Sequence, residues 1–246
     1  MISTYRVKTI SERKDIPGFE TVNVLSWHKK DTPYYTLSPY HLKTDGKEEN
    51  ANIGGVIFEN FWQFSKLYRE VEETKQYVHH SRIGDPKFLT WEWPHEEHVS
   101  KDNQIDWNKY LNWRISGFNC KKPVRRPNGN SQHKCITSLV LKNDNTGFSL
   151  SYIEARKRIY KQEYIRLIKS LPEYKIILNK VLAGVNICIQ EIDVPSIGKK
   201  GYYGKLCRED GLYIADINSL DLLLNDDSEA FGHGLCLIYA LLEDTN

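Results

Sequence analysis

Residues 151–193 read SYIEARKRIYKQEYIRLIKSLPEYKIILNKVLAGVNICIQEID, and their pattern predicts two helices followed by a strand. Ser151 and Glu154 have the spacing of a capping box, in which each side chain accepts the other residue's backbone N–H, and this spacing predicts a helix start. Pro172 ends that helix and opens the first turn of the next one, for which Gly184 is a suitable left-handed stop. The β-branched residues after Gly184 predict a buried strand.

Other segments of the chain continue this mixture of helix and strand. Apolar residues at every third or fourth position predict a helix over Val56–Gln76 and a closing helix over Ser228–Glu243, with Ser228 as its N-cap. A run of branched and apolar residues predicts a strand over Cys135–Leu141, and the N-terminal part is also β-rich. We therefore predict an α+β fold, a single domain over residues 1–246 whose helices pack around a small mixed β-sheet.

The composition excludes several classes of protein. Lys and Arg number 34 and Asp and Glu 32, a net charge of +2, so any affinity for nucleic acid must come from local patches. No apolar run reaches the ~18 residues of a membrane helix, and the first residues lack a signal-peptide core. The five cysteines are scattered without CxxC spacing, which argues against a disulfide framework and predicts a cytoplasmic protein that does not act at a membrane.

Positive charge without any acid is concentrated in residues 121–134, here called the basic segment. Arginine forks and exposed amides suit a phosphate group, and cations that repel one another usually have an anionic partner. The segment therefore indicates either a phosphate-binding loop or a plain exposed loop. The basic side chains that we assign to substrate binding, in this segment and elsewhere, are Arg114, Arg125, Arg126, His133 and Arg156.

Tryptophan is also unevenly distributed, because five of the six tryptophans lie between residues 62 and 113. Some of them must belong to the core. Flat rings near a basic loop also suit a nucleobase, which stacks while its phosphates are held by cations. We assign Trp62 and Trp93 to this role.

Two carboxylates are candidates for acid–base catalysis. Glu59 lies among Phe58, Phe61 and Trp62, where partial desolvation would raise the pKa of its carboxyl group. The alternative for Glu59 is a helix-start acid that interacts with the helix dipole. Asp193 ends the strand predicted after Gly184, and its alternative is a turn-initiating residue.

The segment WEWPHEEH, residues 91–98, places His95 and His98 three residues apart. On a helix both imidazoles would share one face, but the pattern is not HExxH and no third ligand has suitable spacing. We therefore expect no metal and no cofactor. A hydrolase that uses zinc at His95 and His98 is the weakest of the three functions that the sequence suggests.

Two glycines flank His233 where the closing helix should nucleate. We expect a helix N-terminus at Gly234 whose free amides bind an anion, with His233 beside them, and the alternative is an ordinary polar cap. In the first case Gly234→Val would weaken ligand binding and leave the melting temperature nearly unchanged.

Four segments resemble the NADAR family of small N-glycosidases: YTLSPYHLKTDG, GGVIFENFWQFSKLY, the stretch from Ala155 to Asp193, and FGHGLCLIYALLE. In this resemblance Glu59 falls on the family's glutamate, Lys66 approximately on its lysine and Asp193 on its acid. Asn60 stands where the family has histidine, and the W-G-x-G segment before the last helix is absent. Residues 84–134 have no counterpart in shorter members, which implies an enlarged branch of viral or phage type with an inserted loop region.

The resemblance implies hydrolysis of the N-glycosidic bond of a nucleotide-like substrate, an ADP-ribosylated base or a related ribosyl phosphate, without a metal. The candidate residues are compatible with this reaction, which needs a carboxylate, a proton donor for the departing base and cations for the phosphates. Glu59 and Asp193 are the expected catalytic residues. The alternative from another class is a non-catalytic nucleic-acid-binding or inhibitor protein that uses the basic segment and the tryptophans.

Overall fold

The computed structural model describes residues 1–10, 12–26, 28–48, 53–77, 84–128, 134–142 and 147–245. Helices and several small sheets alternate along these ranges, which confirms the predicted α+β class. The chain divides into two compact units. The terminal unit comprises Met1–Leu42 and Arg156–Asn246, and the central unit comprises Lys43–Ala155.

The strands are short and are numbered in chain order. They are β1 (Ile2–Arg6), β2 (Glu20–Asn23), β3 (Lys43–Asp45), β4 (Gly54–Ile57), β5 (Lys66–Tyr68), β6 (Glu70–Val71), β7 (Thr74–Tyr77), β8 (Leu89–Trp93), β9 (Glu96–Glu97), β10 (Cys135–Leu141), β11 (Gly147–Leu150), β12 (Ile187–Glu191) and β13 (Leu212–Ile214).

The helices fall mainly in the second half of the chain. They are α1 (Phe58–Gln63), α2 (Trp107–Phe118), α3 (Tyr152–Ala155), a π-helix (Arg156–Lys161), α4 (Gln162–Ile168), α5 (Pro172–Leu182), α6 (Gly201–Lys205), α7 (Ile217–Asn225) and α8 (His233–Thr245), with 3₁₀ turns at Tyr35–Leu37 and Pro86–Phe88. None of the helices in the described ranges combines the length and the apolar character that a bilayer crossing requires.

The terminal unit contains the small mixed sheet, with strand order β13-β1-β12-β2. Strand β12 is parallel to both β1 and β2, whereas β13 is antiparallel to β1. Ile187 and Ile189 of β12 are fully buried, and α8 packs on β12 as well as on α4 and α5. The core of this unit therefore lies between the sheet and the face of α8, which is buried from His233 to Leu241.

The local signals around residues 151–193 are confirmed. The Ser151 N–H donates to Glu154 Oε2 at 2.9 Å and the Glu154 N–H donates to Ser151 Oγ at 3.3 Å, so the capping box forms. Pro172 occupies the first turn of α5, and Gly184 follows that helix with a φ of +82°. A residue with a side chain would be strained at this φ, so glycine suits the stop.

The central unit is built from antiparallel pairs. Its largest sheet has the order β11-β10-β5, and the pairs β3–β4, β6–β9 and β7–β8 are separate ribbons. Helix α2 passes close to the chain after α1, because a Cβ on Gly117 would lie 2.1 Å from the ring of Phe64. Glycine at this position permits that close packing.

The helix predicted over Val56–Gln76 is confirmed only over Phe58–Gln63, because Val56 and Ile57 belong to β4. Helix α1 ends at Gln63, and the chain then forms β5, β6 and β7. Lys66, Leu67 and Tyr68 are all buried and pair with β10, so strand pairing with residues about seventy positions later prevails over the local helical spacing.

The closing helix begins later than predicted, at His233 rather than near Ser228. The Ser228 N–H donates to Asp226 Oδ1 at 3.0 Å, which places Ser228 in a turn after α7 instead of at an N-cap. The Gly232 N–H donates to the carbonyl oxygen of Asp193 at 2.9 Å, so this glycine is still part of the loop.

Candidate functional site

Glu59, Trp62, Gln63 and Lys66 form a buried polar group in the central unit, here called the Glu59 cluster. Glu59 and Gln63 lie one turn apart on α1, and Gln63 Nε2 donates to Glu59 Oε1 at 2.8 Å. Lys66, at the start of β5, donates from Nζ to Gln63 Oε1 at 2.8 Å. An amide has both a donor and an acceptor, so Gln63 bridges the carboxylate and the ammonium group.

The environment of Lys66 changes its acidity. Its side chain is only 5% exposed, and Nζ lies 4.5 Å from the centroid of the Trp62 ring. Burial lowers the pKa of Lys66 to about 8, although the charges of Cys135 and Glu59 act in the opposite direction. A lysine with a pKa in this range can both hold and release a proton near neutral pH, as a general acid must.

Sequence reasoning missed two partners in this region. Cys135 begins β10 opposite Tyr68, and burial raises the pKa of its thiol while the charge of Lys66 lowers it. Gln63 is a neutral amide, which neither the charge pattern nor the aromatic pattern of the sequence singles out. Its spacing of four residues from Glu59 on a predicted helix is the signal that could have found it.

Asn60 connects α1 to the basic segment. Its Oδ1 accepts the backbone N–H of Val124 at 2.7 Å, and its Nδ2 donates to the carbonyl oxygen of Lys122 at 3.1 Å. A second anchor is Asn128, whose Oδ1 accepts the N–H of Glu72 at 3.3 Å. The basic segment is therefore attached to the helix that carries Glu59.

The cations of the basic segment differ in their surroundings. Arg125 and Arg126 are exposed, and Lys134 forms an ion pair with Glu72 at 3.1 Å. His133, another predicted substrate-binding residue, lies outside the described residues. The predicted phosphate contacts thus rest on Arg125 and Arg126 in the described part of the segment.

Arg114 has a different environment from the one we expected. It is buried in α2, where its guanidinium lies 3.1 Å from the Tyr110 hydroxyl, 3.3 Å from the carbonyl oxygen of Phe64 and 4.8 Å from the Phe118 ring centroid. These contacts lie within the core of the central unit. They favour a structural role for Arg114.

Trp93 is half-buried and stacks on Trp91 with an interplanar angle of 5° and a centroid distance of 6.3 Å. Its Nε1 donates to Glu96 Oε2 at 2.9 Å. Trp62 is more buried and contacts the ring of Tyr152 at 6.4 Å. Of the two predicted stacking residues, the structure places Trp62 in the Glu59 cluster and Trp93 in the separate β7–β8 ribbon.

His95 and His98 lie in an extended segment around β9 rather than on a helix. His95 is exposed, whereas His98 is fully buried beside Trp113 and near Glu96. Burial lowers the pKa of His98, and the neighbouring Glu96 acts against that shift. Among the described residues no group of three or more His, Cys, Asp or Glu side chains is arranged to hold a metal ion.

A second buried group lies in the terminal unit and consists of Glu191, His233 and Gly234, here called the Glu191 cluster. His233 Nδ1 lies 2.8 Å from Glu191 Oε2, and the Gly234 N–H donates to the same oxygen at 2.9 Å. His233 Nε2 lies 2.9 Å from the carbonyl oxygen of Val24. The expectation of a free amide at Gly234 is therefore wrong, because a carboxylate of the protein itself caps the start of α8.

Glu191 is the acid that sequence reasoning missed in this unit. Burial raises the pKa of its carboxyl group, but the charge and hydrogen bond of His233 and the N–H groups of Gly234 and Ile192 outweigh burial and lower it. Asp193, the predicted acid, is half-buried just beyond the end of β12. Glu191 shares the side of β12 that carries Ile189, so alternation along the strand could have identified it.

Arg156 is also placed differently from our expectation. It is buried at the start of the π-helix, and its guanidinium donates to four main-chain carbonyls. The acceptors are Leu223, Leu224, Asp226 and Glu229, at 2.7–3.5 Å. Two of these carbonyls lie in the last turn of α7. The contacts therefore favour a structural role for Arg156, as they do for Arg114.

The structure thus brings together two sets of the predicted residues, one on each unit. Glu59, Trp62 and Lys66 meet in the central unit beside the anchored basic segment, and His233 and Gly234 meet around Glu191 in the terminal unit. Comparisons of the chain with protein-family models, with curated proteins and with solved structures gave no match.

Proposed function

We propose that the protein hydrolyses the N-glycosidic bond of a nucleotide-like substrate, an ADP-ribosylated base or a related ribosyl phosphate, in the manner of the NADAR family that its sequence resembles. The observation that carries the proposal is the hydrogen-bonded chain from Glu59 through Gln63 to Lys66. It joins a buried carboxylate to a cation that can lose its proton near pH 8.

The reaction needs a proton donor and a proton acceptor, and the Glu59 cluster contains one of each. The bond from C1′ of the ribose to the base nitrogen breaks, and its electron pair leaves with the base. The Lys66 ammonium gives that nitrogen a proton, while the Glu59 carboxylate stabilises the cationic ribose and accepts a proton from the attacking water. The water oxygen forms the new bond to C1′, and solvent then restores both side chains to their starting protonation states.

The remaining assignments follow the sequence expectations. Arg125, Arg126 and His133 would bind phosphate groups, and Trp62 would contact the base or ribose. Asp193 stays a prediction from the resemblance and takes no part in the steps above. Since the side chains supply both acid and base, no cofactor enters this mechanism.

The test is cleavage of a small panel containing an ADP-ribosylated nucleobase and a ribosylamino-pyrimidine phosphate, in chelator, with the released base followed by liquid chromatography. Glu59→Gln preserves the shape and removes the charge, so turnover should fall by ~10²-fold or more. Glu73→Gln, which changes an exposed acid of the same unit, is the matched control and should have full activity. Full activity of Glu59→Gln, or intact substrates throughout the panel, would overturn the proposal.

A second candidate function is binding of nucleic acid without catalysis, or inhibition of a protein that binds it. The exposure of Lys121, Lys122, Arg125 and Arg126 favours it, because four cations on one surface segment attract a polyanion. This alternative predicts affinity that falls steeply with salt and does not depend on Glu59.

A further inference from the structure

A cavity of about 520 Å³ opens on the terminal unit, where the π-helix and α4 face α7 and the end of α8. This volume lies within the range of small-molecule sites. Lys157, Arg158 and Lys161 line it from the π-helix, and Ile165 and Leu224 add an apolar surface. The cavity contains none of the residues assigned to the proposed hydrolysis.

The π-helix determines which side chains line this cavity. Helices of this type are rare, mostly a single wide turn, and are frequent at functional sites. Arg156 fixes the first residue of the turn to the carbonyls after α7, and Ile159 and Tyr160 are also buried. The other residues of the turn, Lys157, Arg158 and Lys161, line the cavity.

Lys161 is held in position by a neighbouring ring. Its Nζ lies 3.8 Å from the centroid of the Tyr239 ring, and the Tyr239 hydroxyl donates to Asp221 Oδ1 at 2.7 Å. A cation over an aromatic face is stabilised by the ring quadrupole without being neutralised. Lys161 is therefore oriented by a neutral ring rather than by a carboxylate.

The two acids of the cavity wall are already engaged. Asp221 accepts the Tyr239 hydroxyl, and Glu243 lies 3.6 Å from Lys169 Nζ. Within the described ranges, neither Lys157 nor Lys161 forms an ion pair with a carboxylate. Three basic residues line the cavity against these two acids, so the balance of charge that faces it is positive, which suits an anionic ligand.

We propose that this cavity is a binding site for a small organic phosphate of the size of a mononucleotide. The Lys157 and Lys161 ammonium groups and the Arg158 guanidinium bind the phosphate, because charge-assisted hydrogen bonds to several donors favour a dianion. Ile165 and Leu224 contact the apolar face of the organic part. Gln162 and Asn225, which also line the cavity, provide amide groups for its polar edge.

The experiment is calorimetric titration of the whole chain with AMP, with adenosine and with inorganic phosphate at low ionic strength. AMP should bind, and the double variant Lys157→Met/Lys161→Met should bind it at least 10-fold more weakly, since both phosphate-binding ammonium groups are lost. Lys175→Met removes an exposed lysine of α5 outside the cavity and should bind AMP like the wild type. Adenosine should bind more weakly than AMP.

A footprinting measurement separates this site from the basic segment. Saturating AMP should protect Lys157 and Lys161 from amine acetylation, read by mass spectrometry, and leave Lys175 as reactive as before. Unchanged AMP affinity in the double variant, or protection confined to Lys121 and Lys122, would overturn the proposal. Neither readout depends on turnover, so a failure of the proposed hydrolysis leaves this test intact.

Discussion

The side chain of Asn60 accepts the backbone N–H of Val124 at 2.7 Å, which fastens the basic segment to the residue next to Glu59. Both groups are fully buried. A buried amide N–H that loses its acceptor costs about 1–3 kcal/mol. The contact thus couples the position of the basic segment to the helix that carries the proposed catalytic acid.

We expect Asn60→Ala to lower the free energy of unfolding by about 2–3 kcal/mol, because it leaves the Val124 N–H without its acceptor and opens a small cavity. Urea denaturation measures the change. Asn108→Ala, at an exposed position of α2, is the control and should stay within about 0.5 kcal/mol of the wild type. Equal stabilities of the two variants would contradict the assigned anchor.

Lys66 should make stability rise with pH in the alkaline range. Its pKa is about 8 in the folded chain against an ordinary value of 10.5, so between these values the unfolded chain holds a proton that the folded chain lacks. Below pH 8 the folded state bears the whole cost of the buried charge, and above 10.5 that cost is gone. Relative to Lys66→Met, the wild type should gain about 2 kcal/mol in unfolding free energy from pH 7.5 to pH 10.

Denaturation of both proteins at the two pH values measures this difference, and titrating groups that do not interact with Lys66 cancel because both chains share them. A difference that is constant with pH would show that Lys66 keeps an ordinary pKa. It would also remove the reason for assigning Lys66 as a proton donor near neutrality.

Gly234→Val should destabilise the protein, in contrast to the expectation from the sequence that its melting temperature would be unchanged. A Cβ on Gly234 would lie 3.1 Å from Glu191 Cβ and 3.1 Å from Ile189 Cγ2, and valine adds two methyl groups beyond it. Overpacking of this kind costs about 1–3 kcal/mol. Thermal unfolding against Gly54→Ala, whose added Cβ meets nothing closer than 3.4 Å, checks the prediction.

Arg156→Met should be strongly destabilising, by about 3 kcal/mol or more, because the carbonyls that accept its guanidinium lose a buried charged donor. Arg208→Met removes an exposed arginine that pairs with Asp210 and should change stability by less than about 1 kcal/mol. If Arg156→Met instead retained full stability and lost only substrate affinity, the original assignment of Arg156 to substrate binding would be correct.

Substitution of Arg125 and Arg126 by methionine separates the two candidate functions. In a hydrolase the double variant should raise KM and leave kcat nearly unchanged, since the phosphate is remote from the bond that breaks. In a nucleic-acid-binding protein it should instead flatten the salt dependence of single-strand affinity, by about 0.7 in the logarithmic slope for each lost phosphate contact. Lys101→Met/Lys142→Met, at exposed positions of the same unit, is the control for charge alone.

Elements that are fixed by local signals could be predicted from the sequence. The capping box of Ser151 and Glu154, the proline start of α5 and the glycine after it depend on residues a few positions apart, and all three form. Strand β10 also occupies its predicted bounds, because its branched and apolar residues are bounded by polar ones. Such signals need no knowledge of the tertiary structure.

The errors arose where distant partners decide the outcome. Lys66–Tyr68 is a strand because β10 pairs with it, and no residue near Lys66 in sequence reports that pairing. The amide of Gly234 is capped because Glu191, 43 positions earlier, ends the neighbouring strand on the facing side. The Glu59 cluster was predicted in part, since α1 sets the relation of Glu59 to Trp62 and Gln63, while the approach of Lys66 from β5, with Cys135 of β10 nearby, required the fold.

The mixed sheet of the terminal unit can form only late in biosynthesis. Strands β1 and β2 are made first, yet both pair with β12, whose residues follow more than 160 positions later. At about 5–20 residues per second, ribosomes need roughly 10–30 s to supply that strand. The whole central unit is translated within this interval, so it can fold while the two N-terminal strands remain unpaired. Nascent chains of this protein therefore expose strand edges for many seconds, the state on which chaperones act.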